Sequence, residues 1–415
     1  MTTTSLPLAA GGDPFGPAML DEPYPHYGRV REHSPIYWSP FLDSWVLTRY
    51  ADVKAALFDT RLSAALTREA QTVQLAPHLR GQLKPANDVL GLWLVFQDHN
   101  VHRRLRQLFS AAFTPRIVEQ LRGRIQALAD ALIDAQAARG EMDLAADFAV
   151  RLPVLVITEL LGAPQGDYEL FKNWSRTVGL YFAIGTLGSE TTIAALNEAT
   201  RQMMEYIGGL VAERRRAPQD DLITNLIAAE QQGDRLSETE LIANCILMLH
   251  AGHHSTTATI GSGMLHLLRD ADQRRLLVEQ PELAESAVEE VLRCEPAFPM
   301  VVRAASVDLQ LGGHTIRAGQ QINLCLAAAN YDPAQFVDPD RFDMRRHPNQ
   351  HLTFGYGPHF CLGAPLARME TAIAYTTLLR RLPDLRLAQP TPIWETTYGM
   401  RALETLPVSF TPPAS

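Results

Sequence analysis

Phe354-Gly355-Tyr356-Gly357-Pro358-His359-Phe360-Cys361-Leu362-Gly363-Ala364-Pro365 is the stretch on which the reading of this chain turns. Gly355 and Gly357 permit a tight turn that a residue with a Cβ takes less easily. Pro365, followed by Leu366, Met369 and Ala372 at helical spacing, places Cys361 just before a helix N-terminus. The backbone N–H groups and the positive dipole end found there favour a thiolate. An anionic sulfur held in a rigid, glycine-framed loop is a natural metal ligand. Cys245, Cys294 and Cys325 differ: they are widely spread, form no CxxC pair and read as small buried hydrophobes.

Upstream, the best-marked helix begins at Ser237, where Ser237 and Glu240 form a capping box. Its pattern runs to about Arg269, roughly 45–50 Å at 1.5 Å per residue, enough to cross a domain. The middle reads Ala251-Gly252-His253-His254-Ser255-Thr256-Thr257. Glycine lacks a side chain, and Ser and Thr compete for backbone carbonyls, so a distortion is expected there. Local rules broken at the centre of the longest helix suggest a functional site. His250 and His254 stand at the i,i+4 spacing of two metal ligands, but Ala251 sits where a zinc-protease motif carries its glutamate.

The remaining chain reads as mainly α with a minor β part. Ile36 to Thr48 looks like a hairpin around Pro40 to Asp43, and Asp52 to Phe58 starts a helix. Helical spacing continues from His102 to Ala138, Phe148 to Leu161 and Tyr168 to Arg216, the last broken near Gly185 to Ser189. With no repeat or low-complexity linker to divide it, the expectation is a disordered tail over residues 1–15 and one domain over 16–415.

Composition narrows the function classes. The 415 residues are 46% hydrophobic and 20% charged, ordinary for a globular enzyme. Lys plus Arg is 37 against 46 Asp plus Glu, and the resulting net charge of −9 disfavours sequence-independent nucleic-acid binding. The opening MTTTSLPLAAGGDPFG lacks the basic start of a signal peptide, and no run approaches the roughly 20 apolar residues of a spanning helix. A cytoplasmic protein without membrane attachment is expected.

Phe354, Gly357, Cys361 and Gly363 together meet the pattern Phe-x-x-Gly-x-x-x-Cys-x-Gly, and on these residues the chain resembles the cytochrome P450 family. The resemblance runs from about residue 98 to residue 405. It implies the family's triangular, mainly helical prism around a buried haem b, with Cys361 as the thiolate ligand of the iron. Such ligation pushes electron density toward O–O cleavage. By the same resemblance His102 and Arg106, Arg303 and His359 contact the haem propionates, while Phe354 and Gly363 frame the haem loop. Glu290 and Arg293 are implied to form a buried structural trio with Arg341, since buried charges are tolerated only when paired.

The family's long helix usually carries Ala/Gly-Gly-x-Asp/Glu-Thr over the iron. Counting from Ala251 and Gly252, the acid position is His254 and the threonine position Ser255, with Thr256 one residue late. Serine keeps the hydroxyl, and an imidazole can carry protons near neutral pH. Gly252, His254, Ser255 and Thr256 are thus the candidate catalytic residues. The implied reaction activates dioxygen to hydroxylate or epoxidise an apolar or amphipathic small molecule, in secondary metabolism. The altered motif also admits oxidative coupling or cyclisation of a natural product. Analogy with the family places Trp93, Phe182, Phe298, Met300, Val301 and Tyr398 around the substrate. No reductase segment is recognisable, so electrons are expected from a ferredoxin and its reductase, docking where Arg103, Arg104 and Arg368 offer positive charge.

Overall fold

Glu238–Arg269 is the spine of the molecule, 32 residues and about 48 Å long. The computed structural model describes residues 12–19, 21–182, 186–230, 236–395 and 399–412. Both halves of the capping box form: Ser237 Oγ accepts from the Glu240 N–H at 3.1 Å, and Glu240 Oε2 accepts from the Ser237 N–H at 2.8 Å. The distortion expected over Gly252 to Thr257 is absent, and the helix runs through unbroken. Ser255 and Thr259 direct their hydroxyls to carbonyls one turn back, at 3.4 Å and 2.9 Å, without opening the ladder.

Close neighbours hold the spine on both sides. A Cβ on Gly252 would meet Ile157 Cδ1 at 2.8 Å, so this glycine admits the helix Arg151–Leu160. The structure gives Gly252 a packing role. A Cβ on Gly263 would collide with the Tyr375 hydroxyl of the helix Ala364–Arg381, which donates to Thr259 O at 2.6 Å. These crossings bury one large apolar cluster that includes Leu105, Phe109, Phe148, Phe171 and Ile246.

The apolar stretch from His102 to Ala138 resolves into three helices, His99–Ala112, Pro115–Gln120 and Arg122–Ala137. Thr114 caps the second at Ile117 N–H, and Pro115 takes its first turn, where its missing N–H costs nothing. Tyr168–Gly179 and Glu190–Arg216 flank the expected break. Two further helices, Leu66–Gln74 and Pro77–Leu90, had no counterpart in the sequence reading.

To one side lies a five-stranded sheet in the order Ile36–Ser39, Ser44–Leu47, Gln321–Cys325, Met300–Ala305, Leu62–Ser63. The expected hairpin pairs Trp38 with Trp45, their rings edge-on at 5.5 Å, and Asp43 in its turn has φ +47°. Ser44–Leu47 pairs in parallel with Gln321–Cys325, and the other pairings are antiparallel. Asp13 and Phe15, within the expected tail, are packed onto the domain. Phe15 is buried against Tyr27, and the Asp13 carboxylate accepts from Ser39 Oγ at 2.8 Å and from the Phe41 N–H at 3.1 Å. Residues 1–11 of the expected tail lie outside the described residues. Among the described residues no helix is long and apolar enough to cross a membrane.

Glu290 and Arg293 form the expected buried pair, with Arg293 Nη2 and Nε at 2.8 Å and 2.9 Å from the carboxylate. Arg341 does not complete the trio. Its side chain is 67% exposed and lies 3.8 Å from Asp343. The loop turns so that Pro339 and Arg341 offer their carbonyls to Arg293 instead, and Arg346 takes the third place.

Candidate functional site

The Cys361 loop is shaped by glycines at positive φ, +75° at Gly355 and +79° at Gly357. Any Cβ on Gly357 would also meet Phe58 Cδ2 at 2.7 Å. Across the turn the Cys361 N–H donates to Phe354 O at 2.8 Å. The Phe354 ring packs 4.6 Å beneath the Arg368 guanidinium, which is fixed to Glu289 at 2.6 Å. Burial pushes the Cys361 thiol up, while backbone N–H groups of Gly363 and Ala364 and the charge of Arg106 pull it down. A bound cation would tip that balance toward the thiolate. Cys245, Cys294 and Cys325 are buried, whereas Cys361 is partly open.

Four cation-forming side chains from three parts of the chain gather beside this loop. His102 and Arg106 lie one turn apart on His99–Ala112, and the His102 ring is 4.1 Å from that of His359. Burial, then the charges of Arg303 and neighbouring His102, hold His359 at about 3. Burial and Arg106 also lower His102. Arg303 is enclosed, donating to its neighbour's carbonyl, Val302 O, at 2.8 Å. Among the described residues neither Arg106 nor Arg303 has a carboxylate at ion-pair distance. The one acid in the group is Asp98, 4.0 Å from His359. It already accepts from Ser63 Oγ and from the N–H groups of Ala64 and Ala65 at 3.1 Å and 3.2 Å. Buried guanidiniums left unmatched are costly, so Arg106 and Arg303 equip the cluster to receive further anionic oxygens. A partly open thiol beside an unmatched cationic cradle fits a metallated group carrying two carboxylates.

On the spine, Ala251 is exposed and Ser255, one turn later, is partly so, whereas Thr256 is buried. Ser255 therefore presents the accessible hydroxyl of this turn. His254 belongs to a cluster of three imidazoles, with ring centroids 5.3 Å from His250 and 4.1 Å from His253. Ser175 Oγ, on Tyr168–Gly179, lies 3.0 Å from His250 Nδ1 and 3.4 Å from His253 Nδ1. Burial lowers all three imidazoles, His250 to about 3, so they are neutral at physiological pH. Among the described residues His254 Nε2 is buried without a hydrogen-bond partner.

Trp93 and Phe182 come together, stacked at 6.1 Å, and both stack on His250. Met300 and Val301 are placed elsewhere. Met300 packs in the sheet with Phe15, Tyr27 and Cys325, and Val301 with Leu57, Leu62 and Leu324. These clusters are separate from the one that holds Trp93. Phe298 is 40% exposed, and Tyr398 lies outside the described residues. Of the three expected docking arginines, Arg104 pairs with Glu240 and Arg368 with Glu289, which leaves Arg103 exposed. Asp98 and Ser175 escaped the sequence reading because neither stands in a motif; only the fold brings them to the site.

The cytochrome P450 family model matches residues 64–393. The chain is similar to the polyketide biosynthesis cytochrome P450 PksS of Bacillus subtilis (strain 168), 38% identical over 95% of this chain and 98% of that relative. It is 42% identical to the mycinamicin IV hydroxylase/epoxidase of Micromonospora griseorubida, over 88% of this chain and 89% of that one. Among solved structures, P450BioI in complex with hexadec-9Z-enoic acid ligated acyl carrier protein superposes with a TM-score of 0.87. That match has 37% identity and covers 94% of this chain and 98% of the other.

Proposed function

The chain belongs to the cytochrome P450 family, a haem-thiolate monooxygenase, and from that premise we propose that Cys361 ligates the iron and that the substrate is an apolar or amphipathic small molecule of secondary metabolism, hydroxylated or epoxidised. The observation that carries the residue assignment is the cradle of His102, Arg106, Arg303 and His359 around the single, already engaged carboxylate of Asp98. Two haem propionates would supply the anionic oxygens this cradle lacks. Once bound, haem supplies the oxygen-activating redox chemistry of the site.

The chain's own residues then have separate tasks. The Phe354 carbonyl and the Gly363 and Ala364 N–H groups fix the Cys361 sulfur and its charge. Ser255 Oγ holds an exchangeable proton on the open face of the spine. Neutral His254 can accept at one ring nitrogen and donate from the other, passing protons without storing charge. Trp93 and Phe182 keep bulk water away from that turn. Electrons come from a redox partner, which we identify as a ferredoxin served by its reductase. Its approach is to the Cys361 side, where Phe58, Tyr356 and Phe360 are exposed and Lys54 lies 4.8 Å over the Tyr356 ring.

Turnover with a ferredoxin pair under isotopically labelled dioxygen tests the reaction. The product is expected to carry one labelled oxygen atom, the other leaving as water. A product formed without label would replace hydroxylation by oxidative coupling or cyclisation.

A further inference from the structure

We propose that the ring cluster around His250 is a recognition subsite for a neutral aromatic ring bearing a hydroxyl group, the part of the substrate that orients it. The inference deepens the reading above and rests on it.

Four rings from three distant segments lie nearly parallel. Trp93 and Phe96 come from the chain before His99–Ala112, Phe182 follows Tyr168–Gly179, and His250 stands on the spine. Interplanar angles are 10° for Trp93 with Phe96, 20° for Trp93 with Phe182, 11° for Phe96 with Phe182, 9° for Phe182 with His250 and 28° for Trp93 with His250. Their centroids are 5.3 to 6.4 Å apart. Aromatic pairs in a core are equally content edge to face, as Tyr181 is with Phe96 and Phe182. A shared plane direction in four rings favours one more flat ring over a flexible chain.

Polar atoms within the cluster point the same way. Trp93 is fully buried, yet among the described residues its indole N–H has no acceptor. His254 Nε2, on a ring 5.3 Å from that of His250, is also buried and, among the described residues, without a hydrogen-bond partner. Native folds rarely leave such atoms unmet, so each calls for a group brought from outside. A hydroxyl serves because it both donates and accepts; an alkyl chain does neither. Charge is a separate matter: burial keeps His250, His253 and His254 neutral, so the cluster has no imidazolium to offer a carboxylate. Arg68 lies 5.8 Å over Phe96 and is engaged with the Asn87 carbonyl at 2.8 Å.

Calorimetric titration of the holoprotein with naphthalene, naphthol, naphthoic acid and decanol tests the proposal. Naphthol is expected to bind about five-fold or more tighter than each of the others, the worth of a net hydrogen bond. Trp93→Phe should bring naphthol and naphthalene to similar affinity. Phe182→Leu, at a half-buried site, should weaken both aromatic ligands and spare decanol. Naphthol binding no tighter than naphthalene, decanol or naphthoate binding best, or an unchanged naphthol preference in Trp93→Phe would each overturn the subsite. The Soret spectrum of the same samples scores the underlying reading separately. Haem-replete protein without the ring preference defeats the subsite alone; protein that cannot be loaded with haem defeats the reading it rests on.

Discussion

Arg346 Nε lies 3.1 Å from both carboxylate oxygens of Glu290, closing from the loop side the pair that Glu290 makes with Arg293. Glu290 and Arg293 are wholly buried, and the Arg346 side chain is 11% exposed. The Arg346 guanidinium also ties the carbonyls of Val337, Asp338 and Arg341 to the carboxylate, so one side chain organises the loop that leads to the haem segment.

Removing it should therefore be expensive. Arg346→Ala is expected to lower the unfolding free energy by about 3 kcal/mol, the order of cost of breaking a buried ion pair. Arg341→Ala should stay within about 0.5 kcal/mol of wild type, as exposed substitutions do. Equilibrium denaturation of both variants decides the matter; the reverse ranking would return the role to Arg341.

Ser255→Ala should uncouple the enzyme. With the accessible hydroxyl gone, product formed per electron pair is expected to fall about ten-fold or more, reduced oxygen species being released instead. Buried Thr256 should matter less, and Thr256→Val is expected to keep coupling near wild type. Simultaneous measurement of nicotinamide oxidised, product and hydrogen peroxide separates the two.

Haem retention should depend on the cationic cradle. Arg303→Gln removes an enclosed guanidinium that, among the described residues, has no carboxylate at ion-pair distance. Haem transfer to an acceptor protein is expected to run about ten-fold faster in this variant, in line with a lost charged hydrogen bond. Equal transfer rates would remove Arg303 from the cradle.

The imidazole cluster sets an acid limit on stability. Unfolded, His250 takes up a proton as pH falls through its ordinary 6.5; folded, burial and His254 hold it neutral down to about 3. The unfolded state thus binds more protons between those values, and stability must fall as pH drops through the window. Each such imidazole contributes a slope of at most about 1.4 kcal/mol per pH unit. His250→Phe should flatten the fall measured from pH 6.5 toward about pH 5. Parallel slopes for variant and wild type would show that His250 titrates normally.

What the sequence disclosed was what chemistry makes local. The positive-φ glycines around Cys361 and the Ser237–Glu240 box each carry their reason within a few residues, and each stands as read. His102 and Arg106 share a helix face for the same cause. Arg341 was misread because the choice between it and Arg346 depends on the path of a loop, which no spacing encodes. The helix Pro77–Leu90 hid behind its internal Pro85. Met300 and Val301 followed from family analogy, whereas alternation along a strand decides which face each side chain takes. The parallel rings of Trp93, Phe182 and His250 meet only through tertiary packing.

The most direct test of Cys361 is the carbon-monoxide difference spectrum of the reduced, haem-loaded protein beside that of Cys361→Ser. The wild type is expected to show the strongly red-shifted Soret band of a thiolate-ligated haem, and the variant to lose it. A wild-type band at the position typical of histidine ligation, or a red-shifted band that survives in Cys361→Ser, would contradict it.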